Sequence, residues 1–243
     1  MSSSDPYLVL SDIHANLEAL EAVLADAKVP SARVLCLGDL VGYGADPNAV
    51  VDWVREHNVV TVRGNHDRAA AGEGFEDFSP AARAALQWTQ RVLSPANREF
   101  LGRLPWGPVS YQDFDLIHGS PVDEDEYLIT VADAAAARDR LRTQLTFFGH
   151  THRQGGFLLA RRETSLIRPE LRLAIEAHYT YLVNPGSVGQ PRDSDPRAAY
   201  VFYWPAERAV EFRRTDYDVD RAAAKIRAAG LPDSLALRLS AGW

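Results

Sequence analysis

Five apolar runs in this chain end alike, each delivering a side chain that can bind metal beside a glycine or other small residue: Ser11-Asp12-Ile13-His14, Gly38-Asp39, Gly64-Asn65-His66-Asp67, His118-Gly119-Ser120 and Gly149-His150-Thr151-His152. A lone aspartate at a strand end is commonly a turn or cap residue, so it is the recurrence that constrains the fold. Five of the seven histidines sit in these blocks, and gathering them in an interior without a ligand costs much desolvation for little stability. Open α/β sheets bind ligands outside the carboxyl ends of their strands, which lets blocks spread over about 140 positions converge on one crevice. Asp12 and His14, like His150 and His152, stand two apart, and in an extended segment both members project to the same side.

The pattern around the blocks fits that geometry. Strand-like YLVLSD, a helix near Leu17–Lys28, RVLCLGD, a helix near Pro47–His57 and VVTVRGN read as βαβαβ, which implies parallel neighbouring strands. Asp46 before Pro47 suits an N-cap with proline at the first helical position, and Leu17, Leu20, Val23, Leu24 and Ala27 form one apolar stripe. A helical excursion is expected at about 68–107, with starts at Ser79-Pro80 and Ser94-Pro95. FDLIHG, LTFFGH and YTYLVNPGSV return to strand character, and about 156–181 alternates as a hairpin insertion. AAYVFYWPAERAVEFRR closes the fold as a ribbon, and a final helix is expected near Val219–Ala229. The whole chain, 1–243, is read as one α/β domain of two mixed sheets.

With 46% hydrophobic and 24% charged residues the chain can bury a sizeable core. Its 26 basic and 33 acidic side chains give a formal charge of −7, which argues against nucleic acid as a partner, since that calls for a basic footprint. MSSSDPYLVL has no basic leader region, and no stretch approaches roughly 18 consecutive apolar residues, so a cytoplasmic protein without membrane partners is expected. The single cysteine, Cys36, lies in the apolar VLCLG and is read as a buried structural thiol.

Carboxylates and imidazoles without a thiolate suit manganese, iron, nickel or zinc better than calcium or copper(I). The order of the blocks resembles the calcineurin-like metallophosphoesterase superfamily, whose signature runs D-x-H, G-D-x-x-G, G-N-H-[D/E], a lone histidine and G-H-x-H. The resemblance spans roughly Tyr7 to Asn184. It implies a four-layer α/β/β/α sandwich with two divalent ions, manganese foremost, at the carboxyl ends of the strands. One ion would be held by Asp12, His14, Asp39 and His152, the other by Asp39, Asn65, His118 and His150. It also implies a hydroxide between the ions as nucleophile, His66 beside the metals assisting the leaving group, and Asp67 orienting His66.

Gly38-Asp39-Leu40-Val41-Gly42-Tyr43-Gly44 departs from the protein-phosphatase form G-D-x-x-D-R-G, because no arginine occupies that position. Asn184-Pro185-Gly186-Ser187 is similar to the compact bacterial and archaeal phosphodiesterase branch. The expected substrate is therefore a small phosphodiester, with a nucleotide among the candidates. A phosphomonoesterase, a dinucleoside-polyphosphate hydrolase and a non-catalytic metal-binding interaction module stay open. Asn16, Tyr43 and Arg192 are candidates to line the mouth. His57 and His178 are read as surface or packing histidines, and Trp53, Trp88 and Trp106 as packing residues. A homo-oligomer could form through the edge of the closing ribbon.

Overall fold

The computed structural model describes residues 5–30, 33–72, 74, 78–169 and 172–243. Residues 1–4, positions 73 and 75–77 of the expected excursion, and 170–171 of the expected hairpin lie outside them. The chain opens with β1 (Tyr7–Leu10), α1 (Leu17–Ala27), β2 (Val34–Cys36), α2 (Pro47–Glu56) and β3 (Val60–Thr61). These three strands are parallel, with Leu8 beside Val34 and Leu35 beside Val60. Helix α1 begins because Asn16 Oδ1 accepts from Ala19 N, and it ends where Lys28 turns left-handed. At α2 the expected cap is only half realised. Pro47 stands at the first turn, but Asp46 makes no side-chain cap and instead accepts from Lys225 Nζ at 2.8 Å.

Helix α3 (Asn65–Ala71) is followed by α4 (Pro80–Val92) and α5 (Pro95–Gly102). In the latter two, Ser79 and Ser94 accept from the amides of Ala82 and Asn97 with proline just inside, the arrangement that Ser-Pro predicts. Then come β4 (Val109–Tyr111), β5 (Phe114–Leu116), α6 (Val131–Ala137), β6 (Leu145–Phe147), β7 (Gly155–Leu159), β8 (Thr164–Ile167), β9 (Arg172–Ala174) and β10 (Thr180–Asn184). The chain closes with β11 (Ala198–Trp204), β12 (Ala209–Thr215), α7 (Val219–Ala228) and α8 (Asp233–Ala241).

Two mixed six-stranded sheets result, ordered β3-β2-β1-β11-β12-β9 and β4-β5-β6-β10-β7-β8. Alternation along the strands builds the layers. Tyr7, Val9, Leu35, Val201 and Tyr203 face Phe114, Leu145, Phe147, Tyr181 and Val183 between the sheets. Leu8, Leu10, Val34, Cys36, Tyr200 and Phe202 face the opposite way, against α1, α2, α3 and α5. Phe148, Phe157, Leu159 and Leu182 cover the other outer face beneath Ala134 of α6. The layer order is α/β/β/α. Cys36 is fully buried in the helix-side core, and burial raises its thiol pKa far above the ordinary range.

Three expectations need correction. The stretch at 156–181 is not an inserted hairpin: β7 and β8 pair as one, but β7 also pairs with β10 inside its sheet, and β9 crosses to the other sheet to pair with β12. Leu173 of β9 packs into the core between the sheets, a tertiary gain that local alternation cannot reveal. The edge of the closing ribbon is therefore half covered, since β9 pairs with Ala209–Glu211. Finally, the last helix is followed by another, α8, whose N-cap is Pro232 with no side-chain hydrogen bond, so the usual start signal is missing. Among the described residues no helix is long and apolar enough to cross a membrane.

Phe147 is fully buried between the sheets, edge-on to Phe114 at 5.5 Å and Tyr203 at 5.8 Å. Phe147→Ala is expected to cost about 3–5 kcal/mol. Urea titration should show a lower midpoint with an unchanged slope.

Candidate metal centre

The parallel strands of both sheets end at one level. Leu10 stands beside Cys36 and Cys36 beside Thr61, while Leu116 stands beside Phe147 and Phe147 beside Val183. The loops leaving β1, β2, β3, β5 and β6 carry the five blocks, and the loop leaving β10 carries the Asn184–Ser187 turn. The expected extended projection of Asp12–His14 and His150–His152 is not how they reach the site. Asp12, His14, Asp39, Tyr43, His150 and His152 have left-handed backbones, with φ of 53°, 49°, 55°, 60°, 64° and 57°. That conformation is uncommon outside glycine and persists where surrounding contacts over-determine it. Here Asp12 N donates to Gly38 O at 3.0 Å, His14 N to Asp39 O at 2.9 Å, Ala15 N to Leu40 O at 2.8 Å and Gly189 N to Asp12 O at 3.0 Å. Two glycines of the blocks are required by close approach. A Cβ on Gly64 would lie 2.1 Å from Asp39 Oδ1, and one on Gly42, at φ +89°, would lie 2.3 Å from His66 Nδ1.

The loops assemble two adjoining ligand sets. Asp12, His14, Asp39 and His152 bring one donor atom each within 4.8 Å of one another, as do Asp39, His118 and His150, so Asp39 belongs to both. Asn65 joins the second set, its Oδ1 lying 3.2 Å from His118 Nε2. Hydrogen bonds from the far side of each ring decide what faces inward. Nδ1 of His14, His118 and His152 meets the carbonyls of Val41, Leu37 and Gln190 at 3.0, 2.7 and 2.6 Å, and a carbonyl only accepts. The proton therefore sits on Nδ1 and each Nε2 turns a lone pair inward, as in metal-bound histidines. His150 is reversed: its Nε2 meets Asp125 O at 3.1 Å, which leaves Nδ1 as the inward acceptor.

Lone pairs consequently face one another. His14 Nε2 and His152 Nε2 are 3.1 Å apart, and His152 Nε2 lies 3.2 Å from Asp12 Oδ1. Asp12 Oδ1 and Asp39 Oδ2 are buried without a hydrogen-bond donor. Acceptors so placed repel unless positive charge lies among them, so the residues fit divalent cations. In the metal-free chain a proton supplies part of that charge. Burial disfavours the His118 imidazolium, but the Asp39 carboxylate 3.4 Å away outweighs it and raises the pKa to about 10. Burial lowers the others: His14 and His152 well below the ordinary value, His66 to about 4 and His150 to about 3.

Around this centre the structure sorts the remaining expected residues. His66 is buried with Nδ1 unpartnered, and its ring packs between His14, Tyr43 and Phe78 at 4.8, 4.5 and 4.9 Å. Asp67 does not orient it. As the third residue of α3, Asp67 turns back and accepts from the backbone amides of Asp39 at 2.8 Å, Leu40 at 2.8 Å, Val41 at 3.4 Å and Gly64 at 3.1 Å. Burial and the nearby Asp39 raise its pKa to about 7 against the pull of those donors. Tyr43 and Arg192 do face the mouth, with Arg192 Nη2 3.2 Å from the Tyr43 hydroxyl. Asn16 does not: Oδ1 caps α1 and Nδ2 donates to Gly189 O at 2.9 Å, so both its polar ends are used for bracing. The Asn184–Ser187 turn also braces. Asn184 Nδ2 donates to Gly149 O and Thr151 Oγ1, and Ser187 Oγ donates to Asp12 O.

The centre opens into a cleft of about 750 Å³ lined by His66, His150, Tyr43 and Arg192 and by residues with no sequence signal of their own. These include Phe78, Tyr127, stacked on His150 at 3.8 Å, and Arg153, together with Arg238 of α8 and Trp243 just beyond it. Of the tryptophans singled out in the sequence, Trp53 and Trp88 pack against cores and Trp106 is exposed. His57 and His178 are exposed away from the centre.

A family model for the calcineurin-like phosphoesterase superfamily domain matches residues 7–204. The chain belongs to that superfamily. An uncharacterised protein of Methanocaldococcus jannaschii is 37% identical over 243 residues, covering 96% of this chain and 97% of the relative. The crystal structure of a metallophosphoesterase from Sphaerobacter thermophilus is 38% identical with a TM-score of 0.86, over 99% of this chain and 100% of that one. A hypothetical protein of Pyrococcus horikoshii shares the fold, at 20% identity and a TM-score of 0.80 over 98% of both chains. Membership and the clustered ligands together make metal-dependent phosphoester hydrolysis the chemistry of this phosphoesterase.

Two expectations follow from the geometry. Asp67→Asn replaces an acceptor by a donor facing backbone N–H groups, so it should cost about 1–3 kcal/mol. It should also weaken metal binding about 10–100-fold although Asp67 is outside both ligand sets, as calorimetric metal titration would read. The metal-stripped protein should be most stable near pH 6.5. Below that value the unfolded chain protonates His14, His66, His150 and His152 while the folded chain resists, so stability falls as pH falls. Above it His118 keeps its proton only when folded, so stability falls as pH rises through about 10. Thermal melts across pH would show both limbs, and refilling with metal should remove the alkaline one.

Proposed function

We propose that this phosphoesterase hydrolyses phosphodiesters at a dinuclear centre. The observation that carries the reading is Asp39, shared by two ligand sets whose acceptors face one another without donors. Asp12, His14, Asp39 and His152 would hold one divalent ion, and Asp39, Asn65, His118 and His150 the other. Manganese is the proposed ion, in keeping with a donor set of nitrogen and oxygen without sulfur. Two such ions supply positive charge to phosphate oxygens and acidify water at neutral pH.

The protein's own groups position the substrate. Arg192 is half-buried with Nε unpartnered and one Nη2 steadied by Tyr43, so its guanidinium is ready for a nonbridging phosphate oxygen. His66 is neutral at pH 7 because burial lowers its pKa to about 4. Its part is therefore to donate an imidazole N–H hydrogen bond to the leaving oxygen as charge develops there, rather than to arrive already protonated. Gly42 leaves the space that His66 Nδ1 occupies. A diester suits the cleft because walls from α4, the Asp123–Tyr127 loop and α8 leave room for two substituents on the phosphorus.

The test is hydrolysis of bis(4-nitrophenyl) phosphate beside 4-nitrophenyl phosphate by metal-stripped protein refilled with manganese. The diester should be cleaved only after refilling. His66→Ala should lower kcat by about 10²–10⁴ with metal content unchanged, and His66→Asn, which keeps an N–H, should lose less. Turnover of the monoester alone would overturn the diester reading. Two bound ions with no turnover of either ester would make the protein a metal-binding interaction module.

A further inference from the structure

His150 presents Nδ1 to the centre where the other ligand histidines present Nε2, and the groups that fix this lie on a loop. Its Nε2 meets Asp125 O at 3.1 Å, and the Tyr127 ring stacks on it at 3.8 Å with 25° between the planes. The carbonyl sets the tautomer and the stack sets the rotation of the ring, so together they aim the inward lone pair. Both belong to the stretch between β5 and α6, which has no regular structure of its own to hold it.

In the sequence, Asp123-Glu124-Asp125-Glu126 looks like a solvated acidic run. The structure separates one member. Glu124 is 4% exposed while the other three are exposed, and its carboxylate accepts from Arg68 Nη1 at 2.7 Å and from Arg63 Nη2 at 3.2 Å. Arg68 also reaches Asp125 Oδ2 at 2.8 Å. Charge-assisted bonds of this kind are stronger than neutral ones, and removing one member of such a buried group leaves the remaining charge uncompensated. Arg63 and Arg68 bracket the Gly64-Asn65-His66-Asp67 block, so the segment that supplies Asn65 grips the loop that aims His150. The same loop is folded against His118. A Cβ on Gly119, the next residue, would lie 2.7 Å from the carbonyl oxygens of Asp123 and Glu124, and Ser120 N donates to Asp123 O at 2.8 Å.

The first ligand set is braced from elsewhere. His14 leans on Val41 O, His152 on Gln190 O, and Asp12 O accepts from Ser187 Oγ. We infer that Glu124 and Tyr127 are positioning residues for one ion of the pair. The ion pairs of Glu124 with Arg63 and Arg68 fasten the loop, the loop aims His150, and affinity for the ion held by Asp39, Asn65, His118 and His150 is thereby set apart from affinity for the other. This rests on the reading that two ions occupy the centre. Arg68, Asp125 and Tyr127 also line the cleft, so the wall that faces the substrate is the element that steadies this half of the site.

The experiment titrates manganese chloride into metal-stripped protein. Calorimetry follows uptake, and electron paramagnetic resonance distinguishes an isolated ion from a coupled pair. Glu124→Gln and Tyr127→Ala should each weaken one ion by about tenfold or more and leave the other within about twofold. The half-loaded variants should then show the isolated-ion signal where the unsubstituted protein shows the pair. His150→Ala should lose the same ion, which identifies the half affected, and Tyr127→Phe, which keeps the ring, should bind both ions as the unsubstituted protein does. Tyr127 is 45% exposed, so its two variants carry the test even if Glu124→Gln does not fold. Equal weakening of both ions in Tyr127→Ala, or unchanged binding of both in it or in folded Glu124→Gln, overturns the inference and leaves the dinuclear centre standing. Uptake of a single ion by the unsubstituted protein overturns the dinuclear reading and this inference together.

Discussion

The mutual repulsion of acceptors around Asp39 is the constraint on which the rest of this structure depends. Within each of two sets the carboxylates and imidazoles bring ligand atoms within 4.8 Å of one another, away from solvent, and Asp12 Oδ1 and Asp39 Oδ2 have no hydrogen-bond donor. A packed interior tolerates that only if cations complete it or if the surrounding framework holds the groups against their repulsion. The framework is visible in the hydrogen bonds behind each ring. Carbonyls of Leu37, Val41 and Gln190 select the tautomer of three histidines, so the nitrogen that faces the centre is chosen by the protein itself.

The backbone bears the second part of that cost. Left-handed residues on three loops aim the side chains inward, and each loop is tied to its neighbour by amide–carbonyl bonds that continue the pairing of the strands beneath. Asp67 ties the Asp39 loop to the loop that follows β3. Its carboxylate collects amides from the Asp39 loop and from the start of α3, so the same helix that carries Asn65 and His66 also holds Asp39 in place. The Asn184–Ser187 turn does the same for Asp12 and for the His150–His152 loop. Residues that touch no ion thus set the positions of those that would.

Much of the architecture was legible because it is written in local patterns. The βαβαβ start, the Ser-Pro helix starts and the closing ribbon each follow from periodicity and capping chemistry, and the layered core follows from period-two alternation. What was misread depends on partners distant in sequence. Asn16 stands beside the ligand block yet is consumed by Ala19 and Gly189. Asp67 follows His66 in sequence, but the third position of a helix directs its carboxylate backwards, away from its neighbour's ring. Helix α8 lacks a capping side chain, so neither Arg238 nor Trp243 showed any link to the site.

By itself, then, the sequence determined the set of metal-capable side chains and the succession of strands and helices at the start and close of the chain. Those rest on residue type and on periodicities of two and 3.6, which short stretches carry in full. Only the tertiary structure decided which nitrogen of each histidine faces inward, which polar residues brace rather than bind, and which walls enclose the cleft. Those outcomes depend on hydrogen-bond partners and packing supplied from tens to hundreds of residues away, as with the separations of 138 positions from His14 to His152 and 149 from Tyr43 to Arg192. A lone aspartate reads the same in sequence whether it meets a cluster of histidines, backbone amides or a lysine, and the fold alone assigns Asp39, Asp67 and Asp46 to those three fates.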